Sequence, residues 1–262
     1  MRILVTNDDG ITAPGLAVLE AIAAELSDDV WVVAPAEEQS GAGHSLTLTA
    51  PIRLRKMGER RFAVRGTPTD CVMMALGQVM KAHRPDLLLS GVNRGGNLAE
   101  DVTYSGTVSA AMEGCLAGVR SVALSQSMAD YTAGREDFSA AVKYGAEVVR
   151  RLLAIPDVSG VLTNINFPPV PADKVRGVRV TEQGFRDYGH IAIDERIDPR
   201  GFAYYWFGYG REVAEPGHET DLKAMREACI SVTPLHLDLT HYATLASLRA
   251  AMAGMEEANR PD

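Results

Sequence analysis

Cysteine is scarce in this sequence: three residues among 262, at positions 71, 115 and 229. An odd number of widely spaced thiols, each in a stretch that reads as buried helix or strand edge, excludes a disulfide framework and a zinc site. It predicts reduced core thiols in a cytoplasmic protein. No dense Lys/Arg block occurs, and the formal net charge is −8. A phosphate-backbone binder normally carries a basic stripe, so duplex nucleic acid is not an expected partner. A small anionic substrate is compatible with this balance, because a bound cation reverses the sign of the local field. Long apolar runs are missing too. The stretch after Arg2 ends at Thr6, too short for a signal peptide or a membrane span, so no membrane partner is expected.

Two phosphate-binding signatures are absent. There is no Gly-x-x-x-x-Gly-Lys-Ser/Thr, which excludes a P-loop enzyme, and no Gly-x-Gly-x-x-Gly after the first apolar run, which argues against a dinucleotide fold. The six histidines are scattered without a zinc-binding helix pair; His44, the one near a candidate loop, reads as a structural side chain. Cys115 lies in an Ala-rich helical stretch with no histidine close by, which argues against a nucleophile. No internal repeat, low-complexity tract or Pro/Ser-rich linker divides the chain, so residues 1–262 are read as a single domain.

What is present is ordinary globular material, 46% apolar against 23% charged residues, with enough length for a sizeable core. Apolar runs of strand length alternate with helix-period segments, the pattern of an α/β fold: a doubly wound, mostly parallel sheet with helices on both faces, Rossmann-like in three layers. Strands are predicted at Ile3–Val5, Val30–Ala34, Asp86–Ser90, Val119–Leu124 and Val161–Phe167. Helices are predicted from Pro14 to Leu26, from Thr67 to about His83, from Ser105 onward, and from about Asp137 to Leu153. A β-rich excursion from Leu46 to Val64 turning at Gly58 reads as a hairpin, with Arg53, Arg55, Lys56, Arg60 and Arg61 as a solvated edge. The C-terminal third is less regular. Strand character at Val178–Thr181, Phe202–Phe207 and Ile230–Leu235, and a mixed Gly184–Gly201 stretch, suggest a β-rich arm within about residues 177–240.

Ligands of doubly wound sheets bind at the carboxyl ends of the strands, so polar residues just after successive apolar runs come together however distant in sequence. Four clusters fit that rule: Asp8-Asp9-Gly10, Gln39-Ser40-Gly41, Gly91-Val92-Asn93-Arg94-Gly95-Gly96-Asn97, and Tyr104-Ser105-Gly106-Thr107. Adjacent carboxylates at the mouth of a buried strand repel one another unless a cation lies between them, and oxygen donors of this kind suit Mg²⁺ or Mn²⁺. The competing reading of Asp8-Asp9 is a helix cap with a solvated neighbour. Ser40 and Asn93 taken singly are ordinary turn residues, and their case rests on convergence. Ser105-Gly106-Thr107 offers exposed backbone N–H groups, a glycine permitting close approach and two hydroxyls. That is an anion site or a plain helix cap, since both use the same residues. Asn97 either donates its amide to the same anion or terminates a turn.

Assembled, these clusters resemble the stationary-phase survival protein SurE family of 5′/3′-nucleotidases. The matching segments are Ile3–Gly10, Ala34-Pro35 through Gln39-Ser40-Gly41, Gly66–Val72, Ser90–Asn93 through Asn97, and Tyr104–Val108 with Ala110–Gly114. Weaker matches lie at Asn164–Pro168, Thr220-Asp221 and Ser231–Leu235. The resemblance implies a metal-dependent phosphohydrolase of nucleoside monophosphates, with side activity on short polyphosphates and one divalent cation per subunit. Asp8, Asp9, Ser40 and Asn93 match the family's metal ligands, and Asn97, Ser105, Gly106 and Thr107 match positions around the phosphate. It also implies a homodimer or homotetramer assembled through an exchanged C-terminal region. Ser109 stands where a glycine is usual, and Glu227-Ala228-Cys229 departs from the pattern. Asp8 and Asp9 are the expected catalytic acids, with activated water attacking phosphorus in line with the ribose oxygen and Asp9 the favoured base; direct attack by a carboxylate, giving an aspartyl-phosphate, is the competing route. Two other readings are a phosphoacceptor receiver, which lacks its acid after the Leu87 strand here, and a non-catalytic nucleotide sensor.

Overall fold

A computed structural model describes residues 1–132, 134–186, 191–209, 218–253 and 255. Its main sheet has nine strands in the order β3-β4-β2-β1-β5-β6-β7-β11-β8. The strands are β1 Arg2–Thr6, β2 Asp29–Pro35, β3 Arg53–Lys56, β4 Arg61–Arg65, β5 Leu87–Arg94, β6 Arg120–Gln126, β7 Val161–Phe167, β8 Gly177–Val180 and β11 Cys229–His236. Two further strands, β9 Ile191–Ile197 and β10 Ala203–Tyr209, form a separate antiparallel ribbon. All neighbours from β4 to β7 run parallel, and only the β3–β4 and β7–β11 pairs are antiparallel. The predicted doubly wound α/β architecture is therefore the observed one. β1 lies between β2 and β5, so the winding reverses there and opens a crevice at the carboxyl ends of β1 and β5.

The apolar alternation explains the layers. Ile3 and Val5 point to one face, where they pack with Leu16, Leu19 and Ile22 of α1 (Pro14–Ala24) and Val148 and Val149 of α4 (Ser139–Leu153). Leu4 and Leu88 point to the other face, against Cys71 and Val72 of α2 (Pro68–Met74) and Val108, Ala111 and Cys115 of α3 (Gly106–Leu116). All three cysteines are unbonded and buried, as expected. Proline at the first position of α1 and the Thr67/Asp70 capping box of α2 fix where those helices start.

Several boundaries differ from the sequence reading. The helix from Thr67 does not run intact to His83. It widens into a π turn over Ala75–Val79, closed by Met80 N–H donating to Ala75 O at 2.7 Å. Gly77 is a weak helix former and Pro85 bars further helix, so little holds the regular pitch there. Leu46–Ile52 forms no strand; Thr47 there bonds Asp70 through its backbone N (3.0 Å) and its hydroxyl (2.5 Å). β5 continues beyond Ser90, past an irregularity, so that Asn93 and Arg94 pair with Ser125 and Gln126. Of the basic hairpin residues, Arg60 and Arg61 are more than a solvated edge. Arg60 stacks over Trp31 and pairs with Asp29, while Arg61 binds Glu20 and donates to Ile11 O.

In the C-terminal third, β8 and β11 complete the main sheet, so the arm proper among the described residues is the β9–β10 ribbon. The helices α5 (Asp221–Arg226) and α6 (Tyr242–Ala251) were not anticipated. α6 buries none of its residues, and no helix among the described residues is long and apolar enough to cross a membrane.

Candidate active site

The chain leaves β1 at Thr6 and turns through Asn7-Asp8-Asp9-Gly10. Asn7 Nδ2 donates to Gly10 O at 2.9 Å, and Gln39 N donates to Asp8 O at 2.8 Å, tying this turn to the loop after β2. Asp8 is thereby pressed into the rim, with only 5% of its surface exposed. Thr107 Oγ1 donates to its Oδ1 at 2.5 Å. The approach of α3 depends on Gly106, since a Cβ there would lie 2.7 Å from Asp8 Cβ. Burial, and next the neighbouring Asp9 charge, push the Asp8 carboxyl up to about 7. Asp9 is raised as well, chiefly by burial, against the lowering effect of Arg94, whose backbone N–H donates to Oδ2 at 3.1 Å.

Six of the eight residues expected at the site line one cleft of about 350 Å³: Asp8, Asp9, Ser40, Asn93, Asn97 and Ser105. Asn93 Nδ2 is taken by Gly95 O (3.0 Å), which leaves the carbonyl oxygen as its donor atom toward a cation. Ser40 is exposed and donates to Glu38 at 2.7 Å. Ser105 caps α3 by accepting Val108 N–H at 3.0 Å, so its own hydroxyl proton remains for a ligand. Asn97 is 7% exposed. Its Nδ2 donates to Ser125 Oγ at 2.8 Å, and its backbone is gripped by Asn164 and Asn166.

Gly106 and Thr107 differ from expectation. Both lie behind the wall, the one making room for Asp8 and the other spending its hydroxyl on it. The Thr107 backbone N–H also turns to Asp8, so the N–H of Gly106 at the start of α3 is what remains for an anion. Ser109, the departure from the expected glycine, donates to Ser105 O at 2.6 Å and reinforces the first turn.

Four residues on the wall were not singled out from sequence: Glu38, Arg94, Asp101 and Tyr104. Arg94 lies inside the Gly91–Asn97 cluster, and being the one charged residue in it was its signal. Its guanidinium lies 3.8 Å from Glu38 and 3.5 Å from Glu136. A second recess of about 250 Å³ opens across Asp9, Glu38 and Arg94 toward Thr12, Pro14 and Phe138.

The donors facing the cleft are carboxylate, hydroxyl and carboxamide oxygens, and no group of three or more His, Cys, Asp or Glu side chains suited to a metal occurs among the described residues. That set fits a hard divalent cation and not zinc. The raised carboxyls of Asp8 and Asp9 are what such an ion would return to the ionised state.

A family model described as survival protein SurE matches residues 3–190. A protein of Erythrobacter litoralis named 5′-nucleotidase SurE is 59% identical over 246 residues, covering 94% of this chain and 97% of its own length. One of the same name from Rhizorhabdus wittichii is 59% identical over 251 residues, 95% of this chain and 99% of its own. The crystal structure of the SurE protein from Aquifex aeolicus superposes with a TM-score of 0.81 at 37% identity, covering 96% of this chain and 99% of that one.

Proposed function

Because this chain belongs to the SurE family of survival proteins, we propose that it is a phosphomonoesterase of the 5′-nucleotidase type. It releases inorganic phosphate from nucleoside monophosphates with the help of one divalent cation, Mg²⁺ or Mn²⁺, per subunit, and short polyphosphates are a secondary substrate class. The observation that carries this reading is the shared cleft: two acids with raised carboxyls, two neutral oxygen donors and the capped start of a helix, drawn from four separate segments of the chain, face the same space.

Each residue has a task that follows from its surroundings. Asp8, Asp9, Ser40 and Asn93 would hold the cation, which supplies charge neutralisation and Lewis acidity when bound. Ser105 Oγ–H, the Gly106 N–H at the start of α3 and the Asn97 carboxamide bind the phosphoryl oxygens and stabilise their charge in the transition state. Arg94 adds a positive charge at the mouth. Asp9 is the base for the attacking water: its Oδ2 is occupied by Arg94 N–H, and its other oxygen takes the proton. Asp8 is too deeply buried and too firmly held by Thr107 to reach the substrate, and acts as an anchor.

Assembly into a homodimer or homotetramer is part of the same proposal, in a cytoplasmic protein. It is supported by the ribbon and α6, which leave Tyr205, Trp206, Tyr242 and Leu248 more than half exposed, an apolar surface that a single copy does not cover. Phosphate release from adenosine monophosphate, measured with Mg²⁺ or Mn²⁺ and again with chelator, tests the activity. Release that stops with chelator and returns with added cation is expected; a chelated enzyme working at full rate would overturn the metal assignment, and no release under any condition would overturn the activity.

A further inference from the structure

The segment Leu98–Asp101, between Asn97 and the start of α3, is held almost entirely by residues from more than eighty positions further along the chain. Asp221, fully buried at the first turn of α5, accepts the N–H of Ala99 on Oδ2 at 2.8 Å. On Oδ1 it accepts the N–H groups of Gly184 and Leu222 at 2.8 and 2.7 Å. Gln183 Nε2 donates to Ala99 O at 2.9 Å, and Arg186 donates to Leu98 O at 3.1 Å and pairs with Asp101 at 2.8 Å. Ala99 has φ 51°, a left-handed backbone uncommon for alanine, so the segment needs outside restraint to keep its path. Gly184 is required at this junction, because a Cβ there would sit 2.6 Å from Asp221 Oδ1. Leu98, Ala99, Leu222 and Met225 seal the contact with a small apolar cluster of their own.

Among the described residues none of this network touches the expected cation ligands, yet it grips Asp101 of the cleft wall and the two residues that directly follow Asn97. The geometry points to Asp221 as a positioning residue for the phosphate side of the cleft: by fixing Ala99 it sets where Asn97 and Asp101 stand relative to Ser105. This inference rests on the phosphomonoesterase reading above and adds a residue to it. Asp221 also ties together the two ends of the segment that carries the ribbon, since its own N–H donates to Glu182 O at 3.0 Å. The base of the ribbon is therefore joined to the segment after Asn97 by Asp221, Gln183 and Arg186 together, with Asp221 the buried member.

The test is Asp221→Asn in the full-length, Mn²⁺-loaded protein. The replacement keeps the volume and one acceptor oxygen but cannot accept at the second position. Mn²⁺ affinity, read by electron paramagnetic resonance, should stay within about twofold of wild type, while KM for adenosine monophosphate and the inhibition constant of inorganic phosphate each rise about tenfold, as for loss of one charged hydrogen bond. A role confined to stability would lower the melting temperature and the active fraction and leave both constants alone. Wild-type KM and phosphate inhibition in folded Asp221→Asn would overturn the inference. Should that variant not fold, Gln183→Ala, which removes only the bond to Ala99 O, decides: a rise of about threefold in both constants supports the clamp, and no change overturns it. Wild-type protein assayed alongside separates the two ideas. If it releases no phosphate, the activity itself falls, and the clamp is judged on calorimetric binding of inorganic phosphate alone.

Discussion

The rim around Asp8 and the ribbon of β9 and β10 treat their chemically active residues in opposite ways. At the rim, polar groups are buried and paired: Asp8 with Thr107, Asn97 with Ser125 and Asn166, Ser105 with Val108 and Ser109. Along the ribbon, apolar and aromatic groups are exposed, with Ile193, Ile197, Tyr205 and Trp206 each more than half open. Buried, hydrogen-bonded polar groups are costly to place and specify one geometry, which suits chemistry. An exposed aromatic strip leaves a hydrophobic gain unrealised until another surface covers it, which suits assembly. The two regions meet at Asp221, whose carboxylate accepts from Ala99 beside the cleft and whose N–H donates to Glu182 O at the base of the ribbon.

The largest expected effect is at the rim. Asp8→Asn removes the buried charge around which the site is arranged. It should lower kcat for nucleoside monophosphate by about a thousandfold or more, with circular dichroism unchanged and Mn²⁺ binding lost. Near-normal turnover in the variant would break the comparison at its foundation.

Next in size is a stability effect. Without a cation, the Asp8 carboxyl titrates near 7 in the folded chain against an ordinary value of 3.8. Between those values the native protein holds a proton that the unfolded chain has released, so stability falls as pH rises across that window and levels off above it. The full shift corresponds to about 4 kcal/mol. In chelator, the melting temperature of wild type should therefore drop relative to Asp8→Asn between pH 4 and 7, and Mn²⁺ should abolish the drop. Parallel curves for the two proteins would refute the burial argument.

Much of this was legible in the sequence because the rim follows from strand ends. Each apolar run of the doubly wound core announces the loop after it, and the clusters at Asp8, Ser40, Asn93 and Ser105 needed only the rule that such loops converge. What stayed hidden depended on contacts between distant segments. Thr107 looks like a phosphate donor in sequence, and only the packing of α3 on β1 shows its hydroxyl turned to Asp8. Arg94 sits within a cluster of glycines and carboxamides, and its value comes from the acids that surround it in space. β9 was missed because a two-stranded ribbon away from the core need not alternate apolar and polar residues. Asp221 carries no local sign of acting on Ala99, 122 positions away.

The smallest expected effect on catalysis belongs to the ribbon itself, and it sharpens the contrast. Trp206 is 59% exposed on β10, so Trp206→Asp removes no core contact in the described chain and should alter the stability of one copy by less than about 0.5 kcal/mol. A charge in the middle of an aromatic strip is costly once a partner surface covers it, so the mass measured by light scattering should fall toward that of a single chain. KM for adenosine monophosphate should stay within about twofold of wild type, because among the described residues the ribbon reaches the cleft through its base, where Gln183 and Asp221 remain intact. If instead Trp206→Asp raised KM as far as Asp221→Asn does, assembly and site geometry would be one property, and the division between rim and ribbon would have to be abandoned.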